Sequence, residues 1–328
     1  MRVRAGGEKE SGYHPPPMQI FTSPRCLHHR APRGYPEREE RLSGILEHLR
    51  GRGWPIVEDA RHERAREAVE AVHDAGYVER FERAVRRGDS LIDSADNPLS
   101  PDTWDAAWGA VEATLAAADW AAEGRTAFAA VRPPGHHAER SMAMGFCFFN
   151  SIAVAAEHLR RRGASRVAIF DFDVHHGNGT QHLFEERGDV FYASTHQYPF
   201  YPGTGAANER GRGDGEGATL NVPLPAGTGD ERYAEAIEGV VIPALRRFAP
   251  EALLISAGFD AWQNDPLGGM NVTEQGFRSW GDRLRELARE LCEGRLLAVL
   301  EGGYDLRSLP GLVEVCLEGL ADGRALTP

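Results

Sequence analysis

Short apolar runs alternate with helical stretches from about residue 127 onward, and this alternation limits the possible folds more than any other feature of the chain. Residues 127–131, 167–170, 190–194, 252–256 and 296–300 are nearly continuous in apolar side chains, the pattern of strands covered on both faces. Helical spacing fills 150–162, 230–247, 273–291 and 309–320 between and after them. Strands joined through helices are parallel, so the pattern predicts an α/β fold with one central, mostly parallel sheet and helices on both faces. No linker or compositional break interrupts it, and 328 residues at 41% hydrophobic content supply a large core. A single domain is expected over residues 18–328. Residues 1–17, rich in Gly and Pro with no apolar period, read as a disordered tail.

Upstream of residue 127 the reading is coarser. Folded structure is expected to begin at Gln19 to Thr22. A helix should follow, with Pro36 at its first position and Leu42, Ile45, Leu46 and Leu49 on one face. Residues 63–87 read as a charged helical stretch turned inward at Val69, Val72, Val78 and Phe81. The Asp, Ser, Asn and Pro residues of 90–101 signal a loop, and an alanine- and tryptophan-rich helix runs on to about Ala122. His28 and His29 lack a nearby carboxylate and are assigned to a loop or the surface.

Each unusual polar cluster lies at the carboxyl end of a predicted strand, where parallel sheets bind ligands. After the run 167–170 comes Asp171-Phe-Asp173-Val-His175-His-Gly-Asn178-Gly179. Alternate side chains of an extended chain share a face, so Asp171, Asp173 and His175 project together. With Asp260, at the end of another run, Asp173 and His175 form an Asp2His set suited to zinc, with one position open to water. Iron(II) also fits an O/N set of this kind. Such an ion acidifies water and polarises a carbonyl. His136 and His137, held after a Pro-Pro-Gly turn, are the candidate proton handlers. Asp171 and Asn178 would bond to their rings, and Tyr304, after two glycines, would donate to an oxyanion.

Arg132-Pro-Pro-Gly-His-His137, Gly145-Phe-Cys-Phe-Phe-Asn150, Asp171 to Gly179, Ser256-Ala-Gly-Phe-Asp260 and Glu301-Gly-Gly-Tyr304 together resemble the motifs of the histone deacetylase family. Pro36-Glu37 with Arg41-Leu42 resembles its N-terminal motif. The chain looks closest to the class II-like bacterial deacetylases, a group that includes acetylpolyamine amidohydrolases. Asn178 supports that placement, because many class I-like members carry Asp there. The resemblance implies the arginase–deacetylase fold, zinc on Asp173, His175 and Asp260, a catalytic pair His136 and His137, and Tyr304 as the carbonyl-polarising residue. It further implies a structural potassium ion near Asp171, Asp173, His175, Ser194 and Thr195, which spacing alone does not suggest. Gly145, Phe146 and Tyr201 would belong to a narrow substrate channel. A neutral Asn178 should stabilise an imidazolium at His137 less well than a carboxylate would.

The reaction these residues point to is zinc-dependent hydrolysis of an N-acyl amide. The metal and Tyr304 polarise the acyl carbonyl, a histidine (His137 in this reading) takes a proton from water, and a protonated histidine returns one to the leaving amine. Which histidine acts at which step stays open on sequence alone. A binuclear ureohydrolase of the same fold would need further bridging acids, yet Trp262 stands two residues after Asp260. A non-enzymatic acyl-lysine reader should have lost some of these groups, and all are present. Leu267 aligns with what resembles a glutamate gatekeeper in polyamine-selective relatives. An acetyl-lysine peptide is therefore the expected substrate and a small acylated amine such as an acetylpolyamine the alternative, with Asp96 accepting from a peptide backbone at the rim.

The net charge of −12 argues against a nucleic-acid partner. Cys26, Cys147, Cys292 and Cys316 are scattered without a CxxC pair, as in a reducing cytoplasm. No apolar run approaches the length of a membrane helix, so a cytoplasmic enzyme without a membrane partner is expected. The oligomeric state is left open.

Overall fold

The computed structural model describes residues 18–321, so the tail expected over residues 1–17 lies outside the described residues. In chain order the strands are β1 (Gln19–Phe21), β2 (Ile56–Val57), β3 (Leu91–Ile92), β4 (Ser94–Pro98), β5 (Thr126–Ala129), β6 (Val167–Asp171), β7 (Val190–Gln197), β8 (Thr219–Leu224), β9 (Ala252–Ala257) and β10 (Leu296–Leu300). All but β3 and β4 join one eight-stranded sheet in the order β2-β1-β5-β10-β9-β6-β7-β8, with parallel pairing throughout. Every residue of β6, β9 and β10 is buried, which is why their sequences are apolar without alternation.

The central four strands are β5, β10, β9 and β6. The last two in the chain thus insert between two that precede them. The register sets their carboxyl ends level: Asp171 lies beside Ser256 and Ser194, and Leu300 beside Ala257. The residues that follow all emerge on one edge of the sheet.

The helices are α1 (Glu39–Gly51), α2 (Ala65–Val72), α3 (Ala75–Arg87), α4 (Thr103–Ala122), α5 (Ser151–Arg161), α6 (Asn178–Phe184), α7 (Asp230–Ala236), α8 (Ile242–Phe248), α9 (Glu274–Cys292) and α10 (Leu309–Leu320). The pair α4 and α5 packs against the central strands, while α9 lies on β9 and β10 and carries α10 and then α1 outward. Asn150 caps α5 by accepting from the Ala153 N–H at 3.0 Å.

Several local expectations are corrected. The stretch 63–87 breaks at His73, whose extended backbone lets the ring bridge Glu139 O and Asn150 N at 2.9 Å each. Residues 90–101 are not all loop: β3 and β4 form a hairpin turned at Asp93, where φ is +63°. Pro36 precedes the helix, which begins at Glu39. His29 is buried, not superficial, and its Nδ1 bonds Thr103 Oγ1 at 2.8 Å. The helix 230–247 contains a π turn at Ile237–Val241 between α7 and α8.

One buried ion cluster ties the N-terminal region to the sheet. Glu37 accepts two bonds from Arg132 at 2.8 Å and one from Arg41 at 3.2 Å, with all three side chains fully buried. Burial alone would raise the Glu37 carboxyl, but Arg132 and Arg41 outweigh it and hold it at about 2. Glu37→Gln leaves two buried guanidiniums without their counter-charge and should cost about 3–5 kcal/mol in urea unfolding. Because the folded carboxyl is depressed, the wild-type advantage should be complete above the unfolded value of about 4.3 and fade as pH falls toward about 2.

Candidate active site

Asp173 and His175 follow β6, and Asp260 follows β9. His175 Nδ1 lies 3.1 Å from Asp173 Oδ1 and 3.1 Å from Asp260 Oδ2. The remaining oxygens are anchored by backbone: Gly302 N–H donates to Asp173 Oδ2 at 2.8 Å, and Val174 N–H to Asp260 Oδ1 at 2.9 Å. One oxygen of each carboxylate thus converges with one ring nitrogen, and the three donor atoms lie within 4.8 Å of one another. Burial disfavours a charged ring, yet the hydrogen bonds it donates to both carboxylates raise His175 to about 10. A buried donor set of this charge fits a divalent zinc ion.

The histidine pair follows β5. His136 Nδ1 bonds Asp171 Oδ2 at 3.0 Å, and His137 Nδ1 bonds Asn178 Oδ1 at 2.7 Å. Burial pulls both rings toward neutrality. At His136 the charges of Asp173 and Asp171 reverse this and raise it to about 10, whereas at His137 the neighbouring His136 and His175 add to it and lower the ring well below its ordinary value.

A channel of about 290 Å³ opens beside these groups, lined by His137, His175 and Tyr304 together with Phe146, Phe200, Tyr201, Leu267, Gly145 and Asp96. Phe200 stacks on His175 with ring centres 5.3 Å apart, and Tyr201 meets His137 edge-on at 5.2 Å. Gly145 lies so close to His137 that an added Cβ would stand 2.4 Å from the ring. Phe146 adopts φ +70°, held there by its N–H bond to Asn97 Oδ1. Tyr201 OH donates to Asp96 Oδ2 at 3.0 Å. On β7, Ser194 sits in register with Asp171 and pairs with His196 Nδ1, while the buried Thr195 Oγ1 has no hydrogen-bond partner among the described residues.

Three supporting residues escaped the sequence reading as functional groups. Glu301 accepts from the N–H groups of Gly135 and His136, fixing the histidine loop. Asp265 accepts from the N–H groups of Tyr304, Asp305 and Leu267, joining the tyrosine loop to the channel wall. Arg41 bonds Gly303 O and Glu301 O and lies 4.7 Å from the Tyr304 ring centre. For Glu301 and Arg41 the only signal was an acid or a base inside a motif already singled out, and Asp265 had none beyond standing two residues before Leu267. A second His/Asp group, His62, Asp119 and His158, lies apart from the strand ends, and Arg162 already pairs with its carboxylate.

The sheet and site have the architecture of the α/β arginase–deacetylase hydrolases. An acetylpolyamine aminohydrolase from Burkholderia pseudomallei superimposes with a TM-score of 0.85 at 33% identity, covering 94% of this chain and 99% of that one. The histone deacetylase domain matches residues 35–320. A histone deacetylase-like amidohydrolase of Pseudomonas aeruginosa is 38% identical over 300 residues, 88% of this chain and 78% of the relative. Rice histone deacetylase 10, chloroplastic, is 39% identical over 313 residues, 89% of this chain and 70% of the relative. The chain belongs to the histone deacetylase family and is a deacetylase acting on amide bonds.

A methyl group at Gly302 would stand 2.1 Å from Asp260 Oδ2 and 2.6 Å from Asp173 Oδ2. Gly302→Ala should therefore push the carboxylates apart, lowering bound metal measured by elemental analysis and reducing turnover by about a hundredfold or more. Full metal content in that variant would contradict the geometry described.

Proposed function

We propose that the protein is a zinc-dependent deacetylase that removes acetyl or other short acyl groups from lysine side chains. The observation that carries this reading is the meeting of an Asp2His set, two differently poised histidines and a tyrosine around one apolar channel. Asp173, His175 and Asp260 would hold zinc, which when bound supplies Lewis acidity toward the acyl carbonyl and toward water. His137, bonded through Nδ1 to Asn178 and lowered by burial, is the base that takes the proton of the attacking water. His136, paired with Asp171, holds a proton beside it. Burial keeps the Tyr304 hydroxyl protonated, so it can donate to the developing oxyanion. Asp171, Asp173, His175, Ser194 and Thr195 would surround a structural potassium ion, several of them through backbone carbonyls, a reading supported by the register that sets Ser194 beside Asp171. Domain bounds of 18–328 are consistent with the family match over 35–320.

The substrate reading rests on the channel wall. Leu267, Phe146, Phe200 and Tyr201 present hydrocarbon to whatever passes, which suits the methylenes of an acetyl-lysine side chain. Asp96 stands beside it, its carboxylate already accepting from Tyr201 and Ser94, and a peptide backbone N–H would share one of those oxygens. An acetylated polyamine is the second reading, favoured by the similarity to the Burkholderia acetylpolyamine aminohydrolase over nearly its whole length. Cytoplasmic residence is supported by the four cysteines, all buried free thiols. No helix among the described residues is long and apolar enough to cross a membrane.

Purified protein should hydrolyse an acetyl-lysine reporter, lose that activity to a chelator, and bind one zinc per chain at this site. Asp260→Ala should lose both zinc and turnover, and retention of both would remove Asp260 from the ligand set.

For substrate choice, kcat/KM should be higher for an acetyl-lysine peptide than for N8-acetylspermidine. Leu267→Glu should shift the ratio toward the polyamine by about tenfold, the value of one favourable charge contact. A wild-type preference for the polyamine would move the substrate to the second reading.

A further inference from the structure

Asn178 has a second partner beyond His137. Its Nδ2 donates to Glu139 Oε1 at 2.6 Å, and the other atoms near that amine, His137 O and Met144 Sδ at 3.5 Å, are acceptors as well. Glu139 is itself held in place. Its N–H donates to Met142 O, its carbonyl accepts from His73 Nδ1, and the same Oε1 is 2.8 Å from His182 Nδ1 at the surface. A hydrogen-bonded row therefore runs from His137 through Asn178 and Glu139 to His182.

We propose that Glu139 is a positioning residue of the deacetylase: by accepting from the Asn178 amide it fixes which end of that amide faces His137, and so fixes the tautomer of the His137 ring. The inference rests on the reading of His137 as the base.

The reason lies in the difference between a carboxylate and an amide. An Asp at position 178 would present an acceptor to His137 whichever way it turned. An Asn presents either its oxygen or its amine, and the two orientations occupy nearly the same space. With the oxygen facing His137, Nδ1 carries the hydrogen and Nε2 keeps a lone pair. Nε2 makes no hydrogen bond to protein among the described residues, and His137 lines the channel. With the amine facing His137, Nδ1 must accept, Nε2 carries the hydrogen, and the ring cannot take a proton from water. Turning the amide would also set its oxygen against the Glu139 carboxylate. That exchange of a charge-assisted bond for a repulsion favours the productive orientation by about tenfold to a hundredfold. Glu139 also brings a negative charge to the neutral partner of His137 at one remove.

Exchanging the two halves of the pair tests this. Glu139→Gln removes the obligatory acceptor, and Asn178→Asp sets two carboxylates against each other. Glu139→Gln leaves the two orientations of the amide about equal and should lower kcat/KM on the acetyl-lysine reporter by about twofold, whereas Asn178→Asp should lower it by about tenfold or more. The double variant restores a carboxylate–amide bond with donor and acceptor exchanged, and it should recover to within about threefold of wild type. A residue that merely supports the loop would change the melting temperature and would not be rescued by Asn178→Asp. Unimpaired Glu139→Gln, or losses that simply multiply in the double variant, would overturn the inference. A measurement on the unaltered zinc-loaded protein stands beside the variants: long-range 15N–1H correlation should find the His137 hydrogen on Nδ1, and finding it on Nε2 would equally overturn it. His137→Ala separates the two levels. If it stays active, the base assignment fails; if it is inactive while Glu139→Gln is not impaired, only the positioning role fails.

Discussion

Two carboxylates, Asp173 and Asp260, are buried within reach of one imidazole nitrogen at the ends of neighbouring strands, and the rest of the site answers to that arrangement. Like charges this close in a poorly polarisable interior repel strongly. Backbone N–H groups meet one oxygen of each, His175 meets the other two, and a bound dication would compensate what remains. Any side chain at Gly302 or Gly258 would intrude on the same oxygens, since a Cβ there would stand about 2.1 Å from one of them. The local backbone is therefore shaped by the charge it encloses.

A second layer of buried charge makes the separate loops one body. Glu37 joins Arg132, just before the histidine loop, to Arg41 on α1, and Arg41 reaches the carbonyls of Glu301 and Gly303 beside Tyr304. Glu301 holds the histidine loop from the opposite side, and Asp265 ties the tyrosine loop to the wall that carries Leu267. Such ion pairs contribute little net stability compared with apolar packing, but breaking one leaves a buried charge uncompensated. They act here as position markers, keeping groups far apart in the chain at bonding distance from one another.

The strands that build the site were legible because both faces of a parallel sheet are covered, which leaves apolar runs that no loop would carry. The polar clusters after them stood out for the same reason, as abrupt changes from a core strand to acids, histidines and glycines. Elements stabilised by tertiary contacts were not legible. The edge strand β8 includes Pro223 and is only partly buried, so it lacks the apolar run of a central strand. The hairpin has only two apolar residues in β3 and a mostly polar β4, and Asn97 holds it to the channel wall through Phe146 N–H. The break at His73 reflects a side chain that bridges two other segments, and helical periodicity carries no sign of that.

By itself the sequence determined the fold class, because strand and helix periodicities are local properties of the chain. It also determined the chemistry available, because ligand and proton-transfer groups are a matter of residue type. Only the tertiary structure decided the spatial order β5-β10-β9-β6, which brings His136 and His137, Tyr304, Asp260, and Asp173 with His175 to one edge in an order the chain does not follow. It alone decided that Glu139 would stand 2.6 Å from Asn178. Residues 39 positions apart meet through the packing of the loop after β5 against the start of α6. Such a contact depends on where two segments come to rest against each other, and no local pattern of side chains encodes it.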